Sequence, residues 1–213
     1  MKQIRKNKEP KSLTEHRKKE HADYENYSEK KELRESLHTE QRAICCYCMA
    51  PIVPKIGEMK IEHFECQENF PDKQLIYRNM LGACMGNEGQ PGDLQHCDTY
   101  KGTKPLSFYP PNQKFAIENL ILYSNDGSIY SNNKKLDKEL NEVLNLNVTK
   151  LKNNRKAALD GFKISLEKYK KEIKKPTLER WFNDWVGISH ANNLRPYCMV
   201  VAFWIAKRLE RYK

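Results

Sequence analysis

Two sets of chemistry-bearing residues crowd one third of this chain. Cys45 and Cys48 form a C-x2-C pair, the spacing at which two thiolates can face one metal ion. Cys84 and Cys97 bracket a glycine-rich stretch from Gly86 to Gly92 and are the natural second pair, with Cys46, Cys66 and His96 as alternative ligands. A tetrahedral zinc held by four thiolates would staple segments that own too little core to fold alone. Between the cysteine pairs lies Glu62-His63, with Asn79 and Asp98 further on. A lone histidine is more often a structural side chain than a catalyst. What singles out His63 is its place after a short strand, inside the cysteine bracket, with an amide and a carboxylate downstream.

These residues need elements to hold them. Met59-Lys60-Ile61 reads as a short strand running into Glu62-His63, and a helix is expected to start near Asp98. The Gly86–Gly92 run is a loop on its glycine and proline content. Ahead of this region, residues 14–42 read as one helix opened weakly by Thr14, with only a thin apolar stripe from Tyr24, Tyr27, Leu33 and Leu37. Behind it, residues 114–131 suggest a hairpin turning at Asn125-Asp126-Gly127. Leu136, Leu140, Val143 and Leu144 fit a helical period, and Leu151 through Tyr169 continue it in a longer basic helix extending over 149–175. Pro176 breaks the pattern, Thr177 is the expected cap of the next helix, and Cys198 to Tyr212 reads as a buried core helix. Trp181, Trp185 and Trp204 sit on apolar helical faces and are expected to pack in the core.

The composition fits a folded domain rather than a disordered chain: 213 residues, 38% hydrophobic and 31% charged. No run of about 18 apolar residues occurs, so no membrane span is expected. Met1 to Pro10 is basic without the apolar stretch of a secretory signal, and a cytoplasmic address is expected. There are seven cysteines, six of them between 45 and 97. Such clustering in a reducing compartment, with an odd count, favours metal over disulfides. Net charge is +10, unevenly spread: residues 43–102 hold 5 Lys/Arg against 8 Asp/Glu, whereas residues 103–213 hold 21 against 11. An acidic cation site beside a basic flank suits a protein that grips a polyanion, although lysine-rich solvated helix faces explain the charge equally well.

Order and identity together carry a resemblance. Cys45-Cys46-Tyr47-Cys48, Glu62-His63, Tyr77-Arg78-Asn79-Met80-Leu81, Cys84 and His96-Cys97-Asp98-Thr99-Tyr100-Lys101-Gly102 follow one another as in the HNH (ββα-metal) endonucleases. Adding Met1-Lys2-Gln3-Ile4-Arg5-Lys6, Glu9-Pro10 and Leu13, the chain resembles the PtuB family, the HNH nucleases of Septu and retron-associated anti-phage systems. That resemblance implies an α+β, mostly helical protein. A small zinc-stapled ββα-metal core at 43–112 would be flanked by a 1–42 segment suited to partner docking and by a hairpin with basic helices at 113–213. It implies His63 as general base and Asn79 as the residue orienting His63 or the loop that carries it. Glu62 and Asp98 would hold a catalytic cation, Mg²⁺ or Mn²⁺ by the preference of carboxylates for hard ions. Zn²⁺ would be structural and separate, on Cys45, Cys48, Cys84 and Cys97. The common pattern has a histidine directly after the last knuckle cysteine. Here Asp98 stands there and His96 precedes the cysteine. On a helix 96 and 98 point ~200° apart, so they cannot trade roles without a change of register.

The implied partners are DNA or RNA, an ATPase subunit of the PtuA type, and with it a retron reverse transcriptase and its nucleic acid. Lys101, Lys152, Arg155 and Lys156 are the expected phosphate contacts, which would give affinity without sequence information. No G-x4-G-K-[ST] loop occurs, so ATP dependence would come from another chain. The competing expectation is a non-catalytic zinc-knuckle subunit that binds nucleic acid or protein. Such a module would not require the Glu62-His63, Asn79 and Asp98 set.

Overall fold

The computed structural model describes residues 1–169, 173–189 and 193–212. Its centre is a two-stranded antiparallel sheet. Strand β1, Lys60–His63, pairs with β2, Met80–Ala83, in the register Lys60↔Ala83, Ile61↔Gly82, Glu62↔Leu81 and His63↔Met80. β2 is buried along its whole length, as its unbroken run of apolar residues and glycine requires. Its far edge is not left open. The Gln41 side chain donates from Nε2 to the Gly82 carbonyl at 2.7 Å and accepts the Gly82 N–H at 2.6 Å, and the Cys46 N–H donates to the same carbonyl at 3.0 Å. An edge strand closed by side-chain and loop donors has no free ladder to offer another chain. Helix α3, Cys97–Lys101, follows the sheet in the chain, so the order is strand, strand, helix.

The N-terminal third departs from the single helix expected over 14–42. Two helices form, α1 at Lys11–His16 and α2 at Lys30–Glu40. Between them the chain turns through His21, at φ 55°. Thr14 lies inside α1 rather than at its start, and its hydroxyl donates to Glu9 Oε1 at 2.7 Å. The thin stripe could not sustain one long helix. Instead Leu13, Tyr27, Leu33 and Leu37 are buried separately in the main core.

In the C-terminal half, Leu122–Tyr123 (β3) pairs with Ile129–Tyr130 (β4) around the expected Asn-Asp-Gly turn. Gly127 takes φ 84°, and a Cβ there would come within 2.1 Å of the Lys152 carbonyl. Only glycine lets this turn rest on the following helix. Residues Ile117–Leu120 form a short helix, α4, rather than part of the hairpin strand. Lys134–Lys138 (α5) runs into a π-helical turn at Glu139–Val143. Helix α6 covers Thr149–Glu167 and is capped at Lys168, so the helix expected over 149–175 is corrected: it ends earlier, and Lys175 already belongs to the next helix.

Helix α7, Lys175–Trp185, has Pro176 in its first turn and Lys174 as its N-cap, so the cap expected at Thr177 is corrected. Helix α8, Cys198–Leu209, is the core helix the sequence predicts, with six of its side chains buried. Phe162 meets Trp181, Trp185 and Trp204 edge-on at centroid distances of 6.0, 5.6 and 5.7 Å, which welds α6, α7 and α8 together. No helix among the described residues is long and apolar enough to cross a membrane.

Candidate active site and metal centre

The knuckle begins where α2 ends. Met49, at φ 64°, turns the chain back so that Cys45 accepts the Met49 N–H and donates its own N–H to Ala50. The Ala50 N–H donates to Cys48 Sγ at 3.4 Å, which orients that sulfur. Cys84 follows directly on β2. Cys97 opens α3 with a left-handed φ of 57°, and its N–H donates to the Leu144 carbonyl. Gly86, at φ 57°, lets the loop pass over His96, whose carbonyl a Cβ would meet at 2.2 Å.

The result is four thiols, those of Cys45, Cys48, Cys84 and Cys97, all within 4.8 Å of one another. Sulfurs at ~2.3 Å from a shared zinc lie ~3.8 Å apart. The Cys48–Cys84 separation is 3.7 Å. The donor set and its spacing fit a structural Zn²⁺. Burial pushes the Cys45 thiol up, but hydrogen bonds from Cys46, Cys48, Cys84 and Cys97 outweigh it and hold Cys45 well below its ordinary value.

The alternative ligands fall outside this group. Cys46 is turned to the β2 edge by its N–H, and Cys66 lies 3.9 Å from the Thr103 carbonyl. His96 is buried with Nδ1 3.2 Å from Cys97 Sγ, a neighbour of the thiolates rather than a member of the carboxylate group. His96 is the N-cap of α3, and Asp98 lies in its first turn.

Glu62 and His63 are successive residues at the end of β1, and Asp98 approaches Glu62 from the first turn of α3. Glu62, 3% exposed, accepts the Tyr47 hydroxyl at 2.7 Å and the Lys101 ammonium at 2.9 Å. Burial, then the hydrogen-bonded Asp98 carboxyl, push Glu62 well above its ordinary value, and the Lys101 charge opposes them. Asp98 is more open, and Lys60 Nζ lies 3.8 Å from its Oδ2. The structure therefore brings Glu62 and Asp98 together across β1 and α3, 36 residues apart in sequence.

His63 is 7% exposed. Its Nε2 sits 2.9 Å from the Gln74 carbonyl. A carbonyl can only accept, so Nε2 carries the proton and the Nδ1 lone pair is left as a base. Burial lowers the His63 pKa below 6.5 against the opposing pull of that carbonyl. Asn79 does not touch the imidazole. It closes the loop that carries Gln74: Nδ2 donates to the Glu65 carbonyl at 2.9 Å and to the Lys73 carbonyl at 3.2 Å, and Oδ1 accepts the Glu65 N–H at 2.8 Å.

Two expected phosphate contacts are corrected. Lys101 is 1% exposed and committed to Glu62, so its ammonium cannot reach a phosphate in this arrangement. Arg155 is also 1% exposed. Its guanidinium donates to the Gly127 carbonyl at 2.5 Å, the Leu146 carbonyl at 2.7 Å and Asn147 Oδ1 at 3.2 Å, which ties the hairpin to α6. A cation surrounded by carbonyls this deep is a structural staple. Lys152 and Lys156 lie on the outer face of α6, paired with Asp126 and Asp160.

Sequence reasoning passed over Tyr47, Gln41, Tyr24 and Gln74. Tyr47 sits inside the knuckle motif and had a local signal. The other three act through contacts 11 to 50 residues away, for which spacing gives no sign. No family model matches this chain, and no curated protein matches it.

Proposed function

We propose that this chain is a metal-dependent HNH-type endonuclease that hydrolyses phosphodiester bonds of DNA or RNA. One observation carries the reading: a strand–strand–helix unit sets Glu62 and Asp98 side by side, with the fixed imidazole of His63 next along β1 and a four-thiol cluster that includes Cys97, next to Asp98. A zinc fold alone has no need of that carboxylate pair or of an imidazole with its inner nitrogen fixed.

Glu62 and Asp98 would hold a divalent cation, Mg²⁺ or Mn²⁺. When bound, that cation would supply stabilisation of negative charge on the phosphate and the leaving oxygen. His63 Nδ1 would accept the proton of the attacking water while the Gln74 carbonyl holds Nε2–H and, with it, the ring. Asn79 would keep the Gln74 loop closed. Lys152 and Lys156 would meet the backbone of the polyanion. The resemblance to the PtuB family extends the reading to a cytoplasmic effector of an anti-phage complex with an ATPase partner, and with a retron reverse transcriptase and its nucleic acid.

A second reading has its own support. Lys101 already compensates Glu62 at 2.9 Å, and both side chains are at most 2% exposed, as in a purely structural ion pair. On that reading the chain is a zinc-knuckle binding subunit.

Cleavage of plasmid DNA and total tRNA decides between them. Wild type and His63→Ala are assayed with Mg²⁺ or Mn²⁺ and with EDTA, with and without the co-expressed partner, and zinc content is checked on both. The nuclease reading expects cation-dependent cutting that is lost in a folded, zinc-replete His63→Ala. Absence of cutting by both proteins under every condition would leave the binding subunit.

A further inference from the structure

The irregular segment between α1 and α2 is packed against the loop that holds His63. The Tyr24 N–H donates to Gln74 Oε1 at 3.1 Å, and the carbonyl of that same Gln74 receives the His63 proton. The Tyr24 ring stands edge-on to the His63 ring, 4.6 Å between centroids at 85°. One residue on, the Leu75 carbonyl accepts Arg17 Nη1 at 3.0 Å, and Arg17 is fixed in turn by Glu9.

This segment is stiff in its own right. Asp23 and Asn26 bond each other's backbone N–H, His16 Nε2 lies 2.9 Å from the Asp23 carbonyl, and Ser12 bonds the Tyr27 hydroxyl at 2.7 Å. Two rigid pieces thus meet at His63. One supplies the carbonyl for Nε2, and the other grips that carbonyl's residue and blocks rotation of the imidazole.

Resting on the reading of His63 as general base, we infer that Tyr24 is a positioning residue for the reaction and that residues 9–29 are the brace of the catalytic loop. A flipped imidazole would present a protonated nitrogen where a lone pair is needed. The Tyr24 ring edge and the doubly held Gln74–Leu75 backbone leave one orientation. A general base displaced by about 1 Å loses on the order of 100-fold in rate, so a small loosening of this brace reaches the chemistry without touching substrate binding.

The test compares wild type, Tyr24→Phe, Tyr24→Leu and Tyr24→Ala in the full chain. Measured are kcat and KM for nucleic-acid cleavage, zinc content, melting temperature and the imidazole nitrogen shifts of His63, assigned with His63→Ala. Tyr24→Ala is expected to lower kcat about 10- to 100-fold with KM within twofold, and to replace the single Nε2–H tautomer by a mixture. Tyr24→Phe restores both. Tyr24→Leu, which keeps an apolar side chain and loses the ring, is expected to show the same loss and is the variant read where Tyr24→Ala is poorly folded.

A folded Tyr24→Ala with wild-type kcat and an unchanged tautomer overturns the inference. So does a faster one, which would make Tyr24 a cover over His63 rather than its brace. A wild type that holds the Nε2–H tautomer through Tyr24 yet cuts nothing instead sinks the nuclease reading.

Discussion

Replacing Lys101 by Met removes one half of a pair that is almost fully desolvated. The ammonium lies 2.9 Å from Glu62 Oε1, with side-chain exposures of 1% and 2%. At an effective dielectric of about 20 the gross attraction at this distance is about 6 kcal/mol. Loss of one partner from a buried pair costs about 3–5 kcal/mol, because the other charge stays buried. Here the escape is protonation of Glu62, which burial and Asp98 already favour, so the lower end of that range is expected. Urea denaturation of wild type, Lys101→Met, Glu62→Gln and the double variant measures the coupling directly. A coupling energy of about 3 kcal/mol is expected, with the double variant more stable than Lys101→Met alone. Addition of Mn²⁺ should raise the melting temperature of Lys101→Met more than that of wild type, since Glu62 then faces the cation without its lysine. A coupling below about 1 kcal/mol would refute the assignment of this pair as an ionic, site-defining contact.

Other outcomes follow from the same geometry. Stripping zinc with a strong chelator should unfold residues 43–102, since about 10–16 kcal/mol of metal binding is folding energy in such sites; a far-UV spectrum unchanged after verified zinc loss would refute it. Asn79→Ala loses three hydrogen bonds of about 1 kcal/mol each, so backbone amide exchange at Glu65 should quicken by about 100-fold while the C-terminal helices stay protected. The rate–pH profile should show an acid limb below 6.5, because only neutral His63 accepts a proton and burial lowers its pKa. The same sign governs stability: the folded state resists protonation, so the His63 contribution is complete above 6.5 and is lost as pH falls from there towards the folded value. Arg155→Met should cost about 2–4 kcal/mol in urea denaturation and leave nucleic-acid affinity per folded molecule unchanged; a selective loss of affinity would restore Arg155 as a contact.

The parts of the site that were legible in the sequence are those written in local spacing. The C-x2-C knuckle, the Glu62-His63 dipeptide at a strand end and the Asn-Asp-Gly turn each depend on near neighbours. Cys84 and Cys97, the second pair expected from the sequence, lie with Cys45 and Cys48 in one cluster of four thiols within 4.8 Å of one another. Burial was not legible. Lys101 at the end of α3 and Arg155 on the basic helix α6 look like any surface lysine and arginine, and only tertiary packing reveals the carboxylate beside one and the carbonyls around the other. The break of the first helix was hidden for a related reason. The Glu9–Arg17 pair and the contacts of Tyr24 to Gln74 draw residues 17–29 out of helix towards a loop 50 positions away.

The four thiols have one more consequence. They come from three separate stretches of chain, and the last, Cys97, lies beyond Glu62, His63 and Asn79 and directly before Asp98. During synthesis the hairpin can emerge complete while Cys97 and α3 are still inside the ribosome. Asp98 follows Cys97 directly, so the residue that completes the thiol set and the one that meets Glu62 arrive together. On the nuclease reading, a half-made polypeptide would carry the proposed base without the second carboxylate of the proposed cation site.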